Sequence, residues 1–139
     1  MIVLDTNVIS EAMRPQPEAA VVSWLNAQPA QALYLSSVTL AELLFGIGVL
    51  PAGARQERLA RALDALLVLF PGRTLPFDAD AARRYSEMAV ASRAAGRPLS
   101  MADGYIAATA AAHGFAVATR NAPDFAGTGV ELIDPWAGH

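Results

Sequence analysis

The chain has no cysteine and no lysine among its 139 residues. Without cysteine it can form no disulfide, no thiolate zinc site and no cysteine nucleophile. Without lysine it can carry neither a P-loop nor the lysine that a phosphoacceptor receiver domain requires. Thirteen acidic residues and ten arginines give a net charge of -3, which argues against tight, charge-driven binding to duplex DNA. A phosphate-containing substrate is still compatible with this total, because the local placement of charge matters more.

Charge of either sign is scarce, at 17% of residues, whereas 54% are hydrophobic. A disordered chain would show the opposite balance. The longest uncharged stretch, residues 19–41, contains proline, asparagine and glutamine and does not predict a membrane span. An acid at position 5 and the lack of a basic leading region argue against a signal peptide. We therefore expect a cytoplasmic protein without a membrane segment, folded as a single domain over residues 1–139.

Apolar runs that are short and bounded by turn residues predict five strands. They cover residues 2–4, 33–36, 74–77, 115–119 and 130–133, the third as an edge strand. Helical periodicity predicts helices at residues 8–13, 18–27, 39–46 and 57–70, from the Asp78 cap to about residue 95, and at 100–113. Because strands alternate with helices, we expect an α/β fold with a mostly parallel sheet that has helices on both faces.

Four acids and one amide follow strands or begin helices in this arrangement. Asp5 ends the first strand, Glu42 and Asp103 lie in the first turns of two helices, and Asn121 and Asp124 follow the fourth strand. In a parallel sheet the carboxyl ends of strands and the first turns of the crossover helices share one edge. These side chains are therefore expected to lie together at the carboxyl edge of the sheet.

Helix capping is the alternative interpretation of each of these residues. The run from Thr39 to Glu42 fits a capping box, and Ser100 to Asp103 is close to the same pattern. Capping needs only one side chain per helix, however, and does not explain why acids from four separate segments would face one crevice. Carboxylates that lie close together raise one another's pKa values, and a Mg²⁺ ion relieves that repulsion. Such a site can orient a phosphodiester and activate a water molecule.

Five segments of the chain, in this order and spacing, carry a specific resemblance. They are LDTNVISE (4–11), SVTLAELLFG (37–46), MADGYIAA (101–108), ATRNAPDF (118–125) and IDPW (133–136). Together they resemble the PIN-domain ribonucleases, and specifically the VapC-type toxins (FitB-like) of bacterial toxin–antitoxin pairs. The resemblance implies a PIN domain with three α/β/α layers, a five-stranded sheet and endoribonuclease activity dependent on Mg²⁺, with Mn²⁺ as a possible substitute.

The same resemblance assigns roles to individual residues. Asp5, Glu42 and Asp103 match the three acids that hold the metal and form the catalytic core of the family. Many members have an aspartate where this chain has Asn121, and Asp124 follows three residues later. We therefore interpret Asp124 as a further catalytic carboxylate and Asn121 as a neutral site residue. The family also suggests that Thr6 and Asn7 orient Asp5 or a water molecule.

Partners follow from the resemblance as well: an RNA substrate, a cognate antitoxin, a homodimer, and a heterotetramer or larger assembly with the antitoxin. Four arginines in segments that border the site, Arg14, Arg93, Arg97 and Arg120, are candidates for contacts with the RNA backbone, and Arg120 is the strongest because it adjoins Asn121. Leucine-rich helical segments at 40–47 and 59–69 either complete the core or form the groove for an antitoxin helix. Both histidines, His113 and His139, are expected to be peripheral.

A catalytically silent PIN-like interaction module is the alternative from another functional class. Such a module would be expected to lose one or more of the acids. Asp5, Glu42 and Asp103 are all present, which favours an enzyme.

Overall fold

The computed structural model of the protein describes residues 1–137, so the predicted position of His139 lies outside the described residues. The strands are β1 (Ile2–Leu4), β2 (Leu33–Ser36), β3 (Thr74–Leu75), β4 (Ala116–Ala118) and β5 (Leu132–Ile133). The helices are α1 (Thr6–Ala12), α2 (Ala19–Ala27), α3 (Ser37–Gly48), α4 (Ala54–Leu67), α5 (Ala79–Ala94) and α6 (Met101–His113). Short 3₁₀ turns form at Ala30–Ala32 and Ala122–Phe125.

All five strands belong to one sheet, in the order β3–β2–β1–β4–β5, and every neighbouring pair is parallel. Val3 of the central strand β1 lies beside Tyr34 on one side and Val117 on the other. The predicted parallel α/β sheet, with β3 at an edge, is confirmed. Since β1 lies in the middle, the residue that follows it is at the centre of the carboxyl edge.

Helices cover both faces of the sheet. Successive residues of a strand point to opposite faces, so neighbouring residues pack against different helices. Val3 packs in one apolar cluster with Met88 of α5 and Ile106 of α6. Leu4 packs in a second cluster on the other face. That second cluster takes Val8, Val21, Leu43 and Leu63 from α1, α2, α3 and α4. The fold therefore has the expected three α/β/α layers.

Local capping rules predict two of the helix starts correctly and one wrongly. The Asp78 side chain accepts a hydrogen bond from the backbone N–H of Ala81, and Ser100 caps α6. The proposed capping box of Thr39 is wrong, because α3 begins at Ser37 and Ser36 is its cap. Glu42 consequently lies beyond the first turn of α3. Helix α4 begins and ends three residues earlier than predicted, and β3 stops at Leu75.

The leucine-rich helices α3 and α4 contribute to the core and also to the surface. Leu43 and Leu63 are buried, whereas Leu44 and Phe45 are 55% and 64% exposed. Leu69, just after α4, is exposed as well. The core interpretation is therefore confirmed for Leu43 and Leu63, and the antitoxin groove stays a prediction for the exposed residues. Within residues 1–137, no helix is long and apolar enough to cross a membrane.

Candidate active site

Asp5 immediately follows β1 and is 4% exposed. Its backbone N–H donates to the Ala118 carbonyl at 2.9 Å, which joins the position to β4. The side-chain Oδ1 accepts from the backbone N–H of Thr6 at 2.7 Å. Oδ2 accepts from the Thr119 hydroxyl at 2.8 Å and from Asn7 Nδ2 at 3.3 Å. The carboxylate is therefore held in one orientation by residues from both ends of the chain.

The environment of Asp5 opposes its ionisation overall. Burial raises the pKa of the Asp5 carboxyl, and the charges of Asp103 and Glu42 raise this pKa further. The hydrogen bonds from Thr119 and Thr6 act in the opposite direction, because they stabilise the carboxylate. The raised pKa identifies Asp5 as a buried acid that a nearby positive charge would stabilise.

Glu42 reaches the carboxyl edge from α3 and is exposed. The Thr6 hydroxyl donates to Glu42 Oε1 at 2.7 Å and lies 3.1 Å from the Thr39 hydroxyl. Thr6 therefore touches two acids, Asp5 through its backbone and Glu42 through its side chain. The role predicted for Thr6, to orient Asp5 or a water molecule, stays a prediction.

Asp103 lies in the first turn of α6, where its backbone N–H donates to the Ser100 hydroxyl at 3.1 Å. Burial raises the pKa of the Asp103 carboxyl, the Ser100 hydrogen bond lowers it, and the charges of Asp124 and Glu42 raise it. Asp103 in turn raises the pKa of Asp5. Each of the four predicted acids therefore interacts electrostatically with at least one of the others.

The segment after β4 places the other predicted residues. The backbone N–H of Asn121 donates to the Thr119 hydroxyl at 3.0 Å, and that of Arg120 donates to Asn7 Oδ1 at 3.3 Å. Asp124 lies in the following 3₁₀ turn, is exposed, and influences Asp103 by its charge. Asn121 and Asp124 thus both remain near the site, at different positions.

These elements enclose an open cleft of about 640 Å³. The acids and polar residues in its lining are Asp5, Thr6, Asn7, Ser10, Glu11, Glu42, Asp103 and Asn121. Arg14, Arg55, Arg120 and Trp136 complete the lining. Asp124, Arg93 and Arg97 are outside this lining, and the contact of the last two arginines with the RNA backbone stays a prediction. The cleft combines a group of carboxylates with three guanidinium groups.

Comparison with known protein families matches residues 2–129 to the PIN domain. The chain belongs to the PIN domain family. Among curated proteins, it is 48% identical to the VapC ribonuclease Y4jK of Sinorhizobium fredii, over 98% of both chains. It is 44% identical to Toxin FitB of Neisseria gonorrhoeae, over 98% of this chain and 99% of that protein.

Solved structures show the same PIN fold. The structure of FitAcB from Neisseria gonorrhoeae contains a chain that superposes with a TM-score of 0.93, at 43% identity and 99% coverage of both chains. The match confirms the predicted PIN architecture, in which the carboxyl edge of the sheet bears the acids.

The PIN domain also contains a buried acid that sequence reasoning missed. Glu11 is 5% exposed; its Oε2 accepts from the backbone N–H of Glu18 at 2.9 Å, and Arg14 lies 3.3 Å from its Oε1. The Glu18 hydrogen bond is the main cause of a lowered pKa at Glu11, and the charges of Arg14 and Arg120 contribute. A signal was available: Glu11 lies three residues after Val8, on the apolar face of α1.

Thr119 and Trp136 are two further site residues that the sequence did not single out. The Thr119 hydroxyl is fully buried and lies between Asp5 and the backbone of Asn121. Its position at the end of the fourth predicted strand, on the carboxyl edge, was the available signal for Thr119. Trp136 follows β5 and lines the cleft, and only the IDPW motif drew attention to it.

The donor set of this PIN domain fits a hard divalent cation. Asp5, Glu42 and Asp103 offer only oxygen ligands in one cleft, and two of them have raised pKa values for which a cation would compensate. Within residues 1–137, no three acidic or histidine side chains lie together as a cage that could hold a metal ion. Mg²⁺ does not require such a cage, because it commonly takes one or two carboxylates and keeps several waters.

Proposed function

We propose that this PIN-domain protein is a Mg²⁺- or Mn²⁺-dependent endoribonuclease and the toxin of a toxin–antitoxin pair. The observation that supports this best is the cleft, in which Asp5, Glu42 and Asp103 interact and three arginines lie beside them. Carboxylates suit a divalent cation, and arginines suit phosphodiester oxygens. The relatives named VapC ribonuclease and Toxin FitB, alike over nearly the whole chain, support the same activity and role.

In the proposed mechanism, Asp5, Glu42 and Asp103 would hold the cation, and Asp124 would add negative charge beside them. The cation, when bound, supplies a Lewis acid and lowers the pKa of a water molecule at neutral pH. Thr6, Asn7 and Thr119 fix the orientation of Asp5 through the hydrogen bonds described above. The protein's task is thus to position the carboxylates before the substrate arrives.

Arginines would hold the RNA in this reaction. Arg14, Arg55 and Arg120 line the cleft and can bind the backbone phosphates on either side of the scissile bond. Asn121 offers a neutral amide to the substrate at the same edge. The water oxygen then forms a bond to phosphorus, the bond from phosphorus to the leaving oxygen breaks, and the leaving oxygen takes a proton. Since RNA is the substrate, we propose that the protein acts in the cytoplasm.

A cognate antitoxin is the second proposed partner. Solved chains that share this fold come from toxin–antitoxin complexes. An apolar groove of about 600 Å³ lies between α1, α2 and the end of α4, with Met13, Leu25, Leu66 and Phe70 in its lining. Its apolar lining suits the apolar face of an amphipathic helix. We propose that the antitoxin binds there and that toxin homodimers assemble with antitoxin into a heterotetramer or a larger complex.

Cleavage of RNA by the purified protein, separated from any antitoxin, tests the proposed activity. We expect cleavage of a mixed single-stranded RNA pool with Mg²⁺ or Mn²⁺ and none with EDTA. Asp5→Asn and Asp103→Asn should abolish cleavage and preserve the circular dichroism spectrum. Asp80→Asn is the matched control, because Asp80 is exposed on α5, pairs with Arg83 and does not line the cleft. Wild-type protein that is inert with both metals would instead support a silent interaction module.

A further inference from the structure

Trp136 and Arg120 form a stacked pair in the lining of the cleft. The Arg120 guanidinium carbon lies 5.3 Å from the centre of the Trp136 ring. This is within the distance of about 6 Å at which a cation is attracted to an aromatic face. Both side chains line the same cleft as Asp5 and Asp103. The pair is therefore beside the acids and contributes a positive charge to their surroundings.

Several contacts fix the position of the Trp136 ring. The backbone N–H of Trp136 donates to Asp134 Oδ1 at 2.9 Å, and the N–H of Ala137 donates to the Asp134 carbonyl at 3.1 Å, which forms a tight turn after β5. The ring packs against the apolar cluster that contains Leu4 and Ala118. Its indole Nε1 is buried and has no acceptor within residues 1–137. Packing and the arginine contact, rather than a hydrogen bond in the described chain, therefore hold the indole.

Arg120 is constrained at both of its ends. Its backbone N–H donates to Asn7 Oδ1, and its charge is near enough to Glu11 to lower the pKa of that carboxyl. The residue is exposed, and its guanidinium makes no ion pair within the described residues. Its N–H donors are thus available to a ligand, while its guanidinium carbon lies over the indole ring. A guanidinium in this state is suited to bind a phosphate in its own plane.

We propose that Trp136 is a positioning residue that holds the Arg120 guanidinium beside the acidic site to bind a backbone phosphate of single-stranded RNA. The inference rests on the proposed ribonuclease function. An arginine loses side-chain entropy when it is fixed on a ligand, and a stacking partner reduces that loss in advance. The alternative use of an exposed tryptophan, as a stacking platform for a nucleobase, requires a free ring face. Arg120 lies over one face of the ring, and Trp136 also packs against the apolar cluster that contains Leu4.

A double-mutant cycle measures whether Trp136 acts through Arg120. The assay is fluorescence anisotropy of a labelled single-stranded RNA in Ca²⁺ buffer, with the wild type, Trp136→Leu, Arg120→Ala and the double variant. We expect Trp136→Leu to weaken binding about two- to fivefold and Arg120→Ala to weaken it about tenfold. The double variant should bind like Arg120→Ala alone. Trp136→Phe, which keeps an aromatic face, should bind nearly like the wild type.

Salt dependence provides a readout that a purely structural role would not produce. Arg120→Ala should reduce the slope of log affinity against log salt by about 0.7, because one phosphate contact is lost. Trp136→Leu retains the charge and should leave this slope nearly unchanged. The inference is overturned if Trp136→Leu weakens binding as much in the Arg120→Ala background as in the wild type. Such additivity would mean that the tryptophan acts independently of the arginine.

A second measurement applies if Trp136→Leu fails to fold. The chain has two tryptophans, so ¹⁵N spectra contain two indole N–H resonances to assign. Arg120→Ala should shift the Trp136 resonance and leave that of the buried Trp24 in place, and RNA should shift the Trp136 resonance only when Arg120 is present. An unmoved Trp136 resonance would overturn the inference. Normal RNA binding without any metal-dependent cleavage would contradict the proposed ribonuclease function and leave the pairing of Trp136 with Arg120 intact.

Discussion

Replacement of Thr119 by Val removes one hydroxyl from the centre of the site and retains the side-chain shape. The hydroxyl donates to Asp5 Oδ2 at 2.8 Å and accepts from the backbone N–H of Asn121 at 3.0 Å. Val leaves no cavity, because its methyl group takes the volume of the oxygen. The variant therefore separates the hydrogen bonds of Thr119 from its packing. We expect it to be less stable and to cleave RNA more slowly.

The size of the stability loss follows from the charge on Asp5. A hydrogen bond to an ionised group contributes about 1.5–3 kcal/mol, so we expect Thr119→Val to lower the free energy of unfolding by about 2 kcal/mol at neutral pH. The unfolding entropy of 139 residues, at about 2.1 cal/mol/K per residue, is about 0.3 kcal/mol/K. The expected fall in Tm is therefore about 7 °C.

The pH dependence provides a sharper test than the loss itself. The Thr119 hydrogen bond stabilises the ionised form of Asp5 and so lowers a pKa that burial raises. Its contribution is present above the pKa of the Asp5 carboxyl and is lost as the pH falls through that pKa. The difference in stability between Thr119→Val and the wild type should consequently shrink on acidification.

Thermal unfolding in EDTA, followed by circular dichroism at neutral pH and at about pH 4, measures both effects. Thr119→Ser is the matched control, because it keeps the hydroxyl and loses only a methyl group. It should retain the pH dependence of the wild type and most of the cleavage rate. Equal losses in the Ser and Val variants, or a Val deficit that is independent of pH, would refute the assigned hydrogen bond to Asp5.

Three further variants test other parts of the structure. Asp103→Asn removes a carboxyl group whose pKa is raised by burial, so the variant should be more stable than the wild type at neutral pH. Urea unfolding in EDTA should show this gain, and the gain should vanish once acid protonates Asp103 in the wild type. Glu11→Gln removes a carboxylate whose pKa is lowered by the hydrogen bond from the Glu18 N–H. The free energy of unfolding should fall by about 1 kcal/mol at neutral pH, and the urea curves of the variant and the wild type should converge in acid. Gly104→Ala would place a Cβ 2.6 Å from Tyr85 Cε1, so we expect a loss of about 1–3 kcal/mol in urea unfolding, and unchanged stability would contradict the close packing of α5 on α6.

Features that depend on neighbouring residues in the sequence were predictable. Ser100 caps α6 and thereby puts Asp103 in a first turn, and the Asp78 cap is equally local. Alternation of strands and helices was sufficient to bring Asp5, Glu42 and Asp103 to one edge. The PIN fold and the acids were therefore accessible from pattern and resemblance alone.

Features that depend on tertiary contacts were not predictable in this way. The sequence suggested that Thr39 and Glu42 cap a helix together, but Glu42 instead accepts from Thr6, which lies on α1. Thr119 gains its role only from the parallel pairing of β1 with β4. Arg93 and Arg97 were chosen from sequence proximity to the site segments, which does not determine whether a side chain reaches the cleft.

The central position of β1 also has a consequence for synthesis of the protein. Asp5 is synthesised 114 residues before its hydroxyl partner Thr119, and its backbone N–H needs the carbonyl of Ala118. Contacts of such large sequence separation form only after the intervening chain is available. An emerging chain that ends before β4 therefore carries three of the four acids without the strand that orients the first one. Assembly of the cleft is therefore coupled to synthesis of β4, so a product that terminates before β4 would lack the contacts that orient Asp5.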